Sequence, residues 1–169
     1  PSSREVYGDI VKPKANELDA NVDLCESPYS ASKFGGEALI RAYGKCFNLD
    51  YLIFRFSNVY GMYDESDRII PLFIRLCDAN KELSVFGDEK VLDFVHIDDA
   101  IDAINLGIDK FQVVKNDVFN IAYGEGTLIK ELAELITSMM DKTVRIMTGK
   151  NRTGEVMRFV GEISKSSEK

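Results

Sequence analysis

Ser27-Pro28-Tyr29-Ser30-Ala31-Ser32-Lys33 is the stretch on which the reading of this chain turns. Ser27 is a good helix N-cap, and Pro28 suits the first helical position, where its missing N–H costs nothing. A helix is therefore expected from Pro28 to about Phe47. On a helix, residues i and i+4 share a face, so Tyr29 and Lys33 project to the same side. A free phenol, with a pKa of about 10, is a poor base at neutral pH. A neighbouring ammonium favours the phenolate, which is the tuning a general base for an alcohol requires. Of the seven tyrosines, only Tyr29 has a lysine four residues on. A Tyr-Lys pair at this spacing equally suits a surface tyrosine beside a solvated lysine, so the surrounding chain has to decide.

Working outward, residues 9 to 26 are polar and loop-like, with Pro13 and an acidic cluster. After the first helix, Tyr51 to Phe56 is an apolar, aromatic run that predicts a buried strand. Ile69 to Asn80 predicts a helix with Pro71 in its first turn. Leu83 to Phe86 and Asp93 to Ile97 predict short strands. Asp98 is expected to cap a helix through about Lys110, with Ile101, Ile104 and Ile108 as its inward stripe. Val118 to Ala122 predicts a strand, and Gly124-Glu125-Gly126 a structural turn. Thr127 is expected to cap a helix to Met140 that turns Leu128, Leu132, Leu135 and Ile136 inward. Val144 to Met147 predicts a last strand, and Glu162 to Lys169 the start of another helix. Strands alternating with helices imply an α/β fold.

Composition narrows the class. A chain of 169 residues is long enough for one domain with a real core. Its net charge is −7, and its basic residues are dispersed, which argues against nucleic acid. No run of about 18 apolar residues is present, so no membrane span is expected. The opening, Pro1 to Gly8, has neither a basic nor an apolar region, so no signal peptide is expected. Cys25, Cys46 and Cys77 are scattered, consistent with free thiols in a reducing cytoplasm. With a single histidine, His96, and no paired cysteines, no metal site is expected. His96 lies between Val95 and Ile97 and reads as structural; Asp98 and Asp99 read as helix-start residues.

The flanking blocks carry a resemblance. Ser2-Ser3-Arg4-Glu5-Val6-Tyr7-Gly8 precedes the Tyr29–Lys33 segment. Arg55-Phe56-Ser57-Asn58-Val59-Tyr60-Gly61, Val85-Phe86-Gly87-Asp88 and Asp93-Phe94-Val95-His96-Ile97-Asp98-Asp99 follow it. Phe119-Asn120-Ile121 and Arg152-Thr153-Gly154-Glu155-Val156-Met157-Arg158 complete the set. In this order and spacing the chain resembles the extended short-chain dehydrogenases that act as NAD-dependent nucleotide-sugar epimerases and dehydratases, such as UDP-glucose 4-epimerase. The resemblance implies the C-terminal part of a Rossmann-like parallel sheet plus a small α/β substrate-binding domain. Residues 1–61 would belong to the dinucleotide-binding domain. Residues 62–169 would be mostly substrate-binding, with some segments returning to the main sheet. It also implies catalytic roles for Ser3, Tyr29 and Lys33. Tyr29, Lys33 and Phe56 would contact the cofactor, NAD, with NADP left open. Asn58, Val85, Phe86 and Arg152 would hold a nucleotide sugar, UDP-linked by expectation. The helix bearing Tyr29 implies a homodimer.

Three departures from the family pattern matter. The chain has no G-x-x-G-x-x-G turn of the kind that places a pyrophosphate at a helix N-terminus. It therefore reads as the C-terminal portion of such an enzyme, incomplete for activity by itself. Leu92 stands where the family usually carries a phosphate-binding Arg before Asp93. Arg4 stands where a dehydratase carries its acidic Asp. The reading is a 4-epimerase of UDP-glucose/UDP-galactose type, oxidising C4 transiently with Tyr29 as base. A decarboxylase (through Glu5), a dehydratase or a ketosugar reductase are the alternatives within the class. A non-catalytic nucleotide- or partner-binding remnant is the alternative outside it.

Overall fold

The helix at Tyr29 begins where its cap allows. Ser27 Oγ accepts from the Ser30 N–H at 3.1 Å, and Ser30 Oγ accepts in return from the Ser27 N–H at 3.1 Å. With Pro28 in the first turn, this reciprocal box fixes the start of α1 (Pro28–Phe47). Asn48, at φ 53°, ends it in the left-handed conformation. The computed structural model describes residues 1–9, 11–87, 89–151 and 154–168.

The strands are β1 (Ser2–Ser3), β2 (Leu52–Phe56), β3 (Asn58–Tyr60), β4 (Leu83–Phe86), β5 (Val91–Leu92), β6 (Phe94–His96), β7 (Asp117–Ile121), β8 (Thr127–Leu128), β9 (Ile146–Gly149) and β10 (Arg158–Phe159). The further helices are α2 (Ile69–Asp78), α3 (Ile97–Asp109), α4 (Phe111–Val114), α5 (Ile129–Met139) and α6 (Ser164–Ser167). Short 3₁₀ turns cover Arg4–Tyr7, Glu17–Asp19 and Val22–Leu24. The α/β reading holds: β1, β2 and β7 form a parallel sheet in that order. Parallel pairs β3–β6 and β4–β9 and the small sheet β10-β5-β8 complete the ladders.

The main core gathers Tyr7, Phe73, Leu83, Val85, Ile129 and Phe159. A second cluster lies under α3, around Ala100, Val114, Phe119 and Ile121. Burying side chains of this size stabilises the fold by about 1.5–3 kcal/mol each.

Five local expectations need correcting. The N-cap of α3 is His96, whose Nδ1 accepts from the Asp98 N–H at 3.3 Å, while Asp98 sits in the first turn. The inward stripe of α3 is Ala100, Ala103 and Gly107; Ile101 and Ile108 face solvent. The sheet offers bulky Phe54 and Phe119 at this contact, so the helix approaches closely through its smallest residues. A Cβ on Gly107 would lie 2.6 Å from the Phe54 ring. Thr127 does not cap α5, because Thr127 and Leu128 pair antiparallel with Leu92 and Val91. Accordingly α5 turns Ile129, Leu132, Ala133 and Ile136 inward and leaves Leu135 exposed. The last predicted strand lies two residues later, at Ile146–Gly149, set by its register with Leu83–Phe86.

Candidate active site

β1 and β2 end at the same level, Ser3 opposite Phe56, and Phe56 is in turn opposite Ile121 at the end of β7. In an open parallel sheet the crevice beyond the carboxyl ends of the strands is where ligands bind. A cleft of about 590 Å³ opens there, and Ser3, Tyr29, Lys33, Phe56, Asn58 and Phe86 all line it. Its far wall comes from the N-terminal half of α2 and from Gly154–Val156.

Lys33 Nζ lies 5.7 Å from the centroid of the Tyr29 ring, so the two do share a helix face. Tyr29 is 52% exposed, on the open side of the cleft. Lys33 Nζ also donates to the Pro1 carbonyl at 3.4 Å, tying the helix to the strand that carries Ser3. Ser3 is buried, and its Oγ accepts from the Glu5 N–H at 3.3 Å, capping the 3₁₀ turn at Arg4–Tyr7. Asn58 is held at both ends of its amide. Its Nδ2 donates to the Asp93 carbonyl at 2.8 Å, and its Oδ1 accepts from Arg4 Nε at 3.2 Å.

Val85 is not part of the cleft wall. Strand β4 alternates, so Leu83 and Val85 point into the main core while Ser84 and Phe86 point out to the cleft. Val85 is 1% exposed. Arg152 lies outside the described residues. Leu92 is buried in the core and brings no charge to the cleft.

Further groups line or support the cleft. Lys90 Nζ donates to Glu155 Oε2 at 2.6 Å, a largely buried ion pair on the cleft wall. Asp93 sits behind the wall and accepts from the N–H groups of Tyr123 (2.9 Å), Gly124 (2.9 Å) and Gly161 (3.1 Å). Burial pushes its carboxyl above the ordinary range despite those three donors. Beneath the cleft, Glu37 on α1 accepts from Ser2 Oγ at 2.6 Å and bidentately from Arg55 at 2.8 and 2.7 Å. Burial alone would raise the Glu37 carboxyl, but the Arg55 and Ser2 bonds outweigh it and hold it below the ordinary range. Arg55 also donates to Tyr7 Oη at 2.9 Å, and burial pushes that phenol up to about 12. Glu37 thus ties together the three elements that carry Ser3, Tyr29, Lys33 and Phe56.

Residues 1–122 match the NAD dependent epimerase/dehydratase family. The dTDP-glucose 4,6-dehydratase of Escherichia coli is 29% identical, aligned over 97% of this chain and 51% of its own length. UDP-glucose 4-epimerase of Thermotoga maritima, solved with UDP-glucose, superposes with a TM-score of 0.88 at 28% identity, over 99% of this chain and 54% of that one. UDP-glucuronic acid 4-epimerase of Bacillus cereus, solved with UDP-glucuronic acid and NAD, gives a TM-score of 0.89 at 27% identity, over 99% and 52%. In each case the chain spans about half the length of the protein it matches.

Proposed function

Because the chain belongs to the NAD-dependent epimerase/dehydratase family, we propose that it carries the proton-transfer and sugar-binding groups of a nucleotide-sugar 4-epimerase acting on a UDP-linked hexose. The observation that carries this reading is the meeting of Ser3, Tyr29 and Lys33 in one cleft at the carboxyl edge of the parallel sheet. When bound, NAD supplies the hydride acceptor. The half-buried Lys33 ammonium, the Tyr29 ring and Phe56 offer a cationic and aromatic corner that suits the nicotinamide ribose.

The remaining tasks fall to the chain's own side chains. Tyr29 takes the proton of the sugar hydroxyl being oxidised, with the Lys33 ammonium beside its ring. Ser3 hydrogen-bonds the same oxygen. Asn58 and Phe86 contact the nucleotide end. Residues 1–61 would then serve the cofactor side and most of 62–169 the substrate side.

Dehydration is disfavoured because the position next to Ser3 holds a guanidinium, Arg4, which cannot donate a proton to a leaving hydroxyl near neutral pH. Self-association through α1, whose Leu39, Tyr43 and Phe47 are exposed, would give the homodimer.

The test is Tyr29→Phe in the full-length protein, followed by interconversion of UDP-glucose and UDP-galactose. Turnover should fall by about 10²–10⁴-fold, the usual worth of a general base, with UDP affinity kept. Unchanged turnover would refute the assignment and favour a binding role.

A further inference from the structure

Arg4 faces the same cleft, yet its hydrogen bonding is incomplete. Its side chain is only 11% exposed. Nε donates to Asn58 Oδ1 at 3.2 Å, and Nη2 lies 3.7 Å from Glu5 Oε1. Among the described residues, Nη1 is the buried side-chain nitrogen or oxygen atom that has no hydrogen-bond partner. The guanidinium lies 5.8 Å from the centroid of the Phe159 ring, and Phe159 pairs in register with Leu92. Arg4 therefore brings a cation close to a strand position that is itself apolar.

A buried guanidinium with a spare N–H is costly unless something completes it. Burial draws its pKa below the ordinary value despite the nearby Glu5, Asp9, Tyr29 and Glu155, and a guanidinium stays charged near neutral pH. None of those groups accepts from Nη1. An oxyanion with two oxygens in one plane or on one face is the partner that a guanidinium fork fits best.

We propose that Arg4 is an oxyanion-binding residue of this cleft, taking an oxygen of the bound nucleotide sugar with the fork that Asn58 and Phe159 hold in place. This rests on the reading that the cleft takes nucleotide sugars. The oxyanion is either the diphosphate, common to every such ligand, or a carboxylate on the sugar ring. Fixing Asn58 through Oδ1 is the accompanying positioning effect.

The experiment is calorimetric binding of uridine, UDP, UDP-glucose and UDP-glucuronate to the full-length protein and to Arg4→Gln. If the diphosphate is the partner, the Kd values for UDP and both UDP-sugars rise on the order of 100-fold relative to that for uridine. If a carboxylate is the partner, only UDP-glucuronate weakens by that factor. A purely structural Arg4 changes all four ligands by one factor or, if it acts only by positioning Asn58, gives no further loss in an Asn58→Ala background; either result overturns the proposal, as does no change in any ligand. Because these readouts need no turnover, they stand whether or not Tyr29 is the base. Should Arg4→Gln fail to fold, Arg4→Lys keeps the charge and loses the fork. It should weaken UDP on the order of 10-fold against uridine, and equal binding of both would overturn the proposal equally.

Discussion

Replacing Glu37 by Gln changes one atom and strips the charge from the centre of the support beneath the cleft. Three hydrogen bonds end on the Glu37 carboxylate, from Arg55 Nε (2.8 Å), Arg55 Nη2 (2.7 Å) and Ser2 Oγ (2.6 Å). Gln can accept at one oxygen only, and its NH₂ must face a guanidinium or a hydroxyl. Arg55, 3% exposed, is then a buried cation left with Tyr7 Oη and the Glu17 carbonyl as acceptors. Breaking a buried pair in this way costs about 3–5 kcal/mol. For a chain of this size that is a fall in Tm of roughly 6–20 °C, at about 2–4 °C per kcal/mol. Urea unfolding followed by circular dichroism should show a lower midpoint at unchanged slope. The pH dependence supplies a second, independent check. The folded Glu37 carboxyl titrates below its ordinary value. Its contribution is therefore complete above the unfolded Glu value of about 4.3 and is lost as the pH falls through the depressed folded value. The deficit of Glu37→Gln should accordingly shrink in acid. A loss under about 1 kcal/mol, or a deficit that stays constant from neutral pH into acid, would refute the claim that this charge pair holds the site's three elements together.

Further expectations concern the backbone around the cleft. Gly8 adopts φ 57°, and a Cβ there would lie 2.0 Å from the Leu24 carbonyl oxygen; Gly8→Ala should cost about 3 kcal/mol or more in urea unfolding. Ser27→Ala removes the acceptor for the Ser30 N–H at the start of α1 and should cost about 1 kcal/mol. Its effect on turnover should be small provided the Tyr29 turn stays helical, which the far-ultraviolet dichroism of the variant will report.

What could be read from the sequence alone follows from where each signal sits. The helix carrying Tyr29 was legible because its start and its i, i+4 geometry are both local: Ser27 and Pro28 cap it, and Tyr29 and Lys33 share its face. The face of β4 was legible too, since Ser84 between Leu83 and Val85 marks the side turned away from the core, although the block Val85-Phe86 drew the assignment to both residues. The inward face of α3 was not. Three isoleucines make the more conspicuous stripe, but the packing distance is set by Phe54 and Phe119, which lie about fifty residues upstream and about ten downstream in the chain. The Asp93 support was equally hidden, because its partners are backbone N–H groups of residues 123, 124 and 161, and an N–H carries no residue identity. Arg4 reads as a departure in sequence. Only the burial of its side chain and the spare Nη1 turn it into a candidate ligand-binding group.

The hydroxyl of Ser3 shows how the fold assigns chemical roles at this edge. A serine oxygen can accept twice and donate once. Ser3 Oγ already accepts from the Glu5 N–H, because β1 ends there and the chain turns at once into the 3₁₀ segment Arg4–Tyr7. That bond fixes the oxygen at the carboxyl edge of the sheet, opposite Phe56, and leaves the proton to be donated. A group placed in this way stabilises an oxygen on the substrate but is not arranged to deprotonate it. Among the described residues no hydrogen bond ties Ser3 Oγ to a base, whereas Tyr29 has an ammonium beside its ring. On the proposed reading, proton removal would fall to Tyr29 and hydrogen-bond donation to Ser3. The division comes from the sheet edge and the helix face rather than from the intrinsic acidity of either hydroxyl. On this argument Ser3→Ala should lower kcat far less than Tyr29→Phe, because it removes a donor while leaving the base in place.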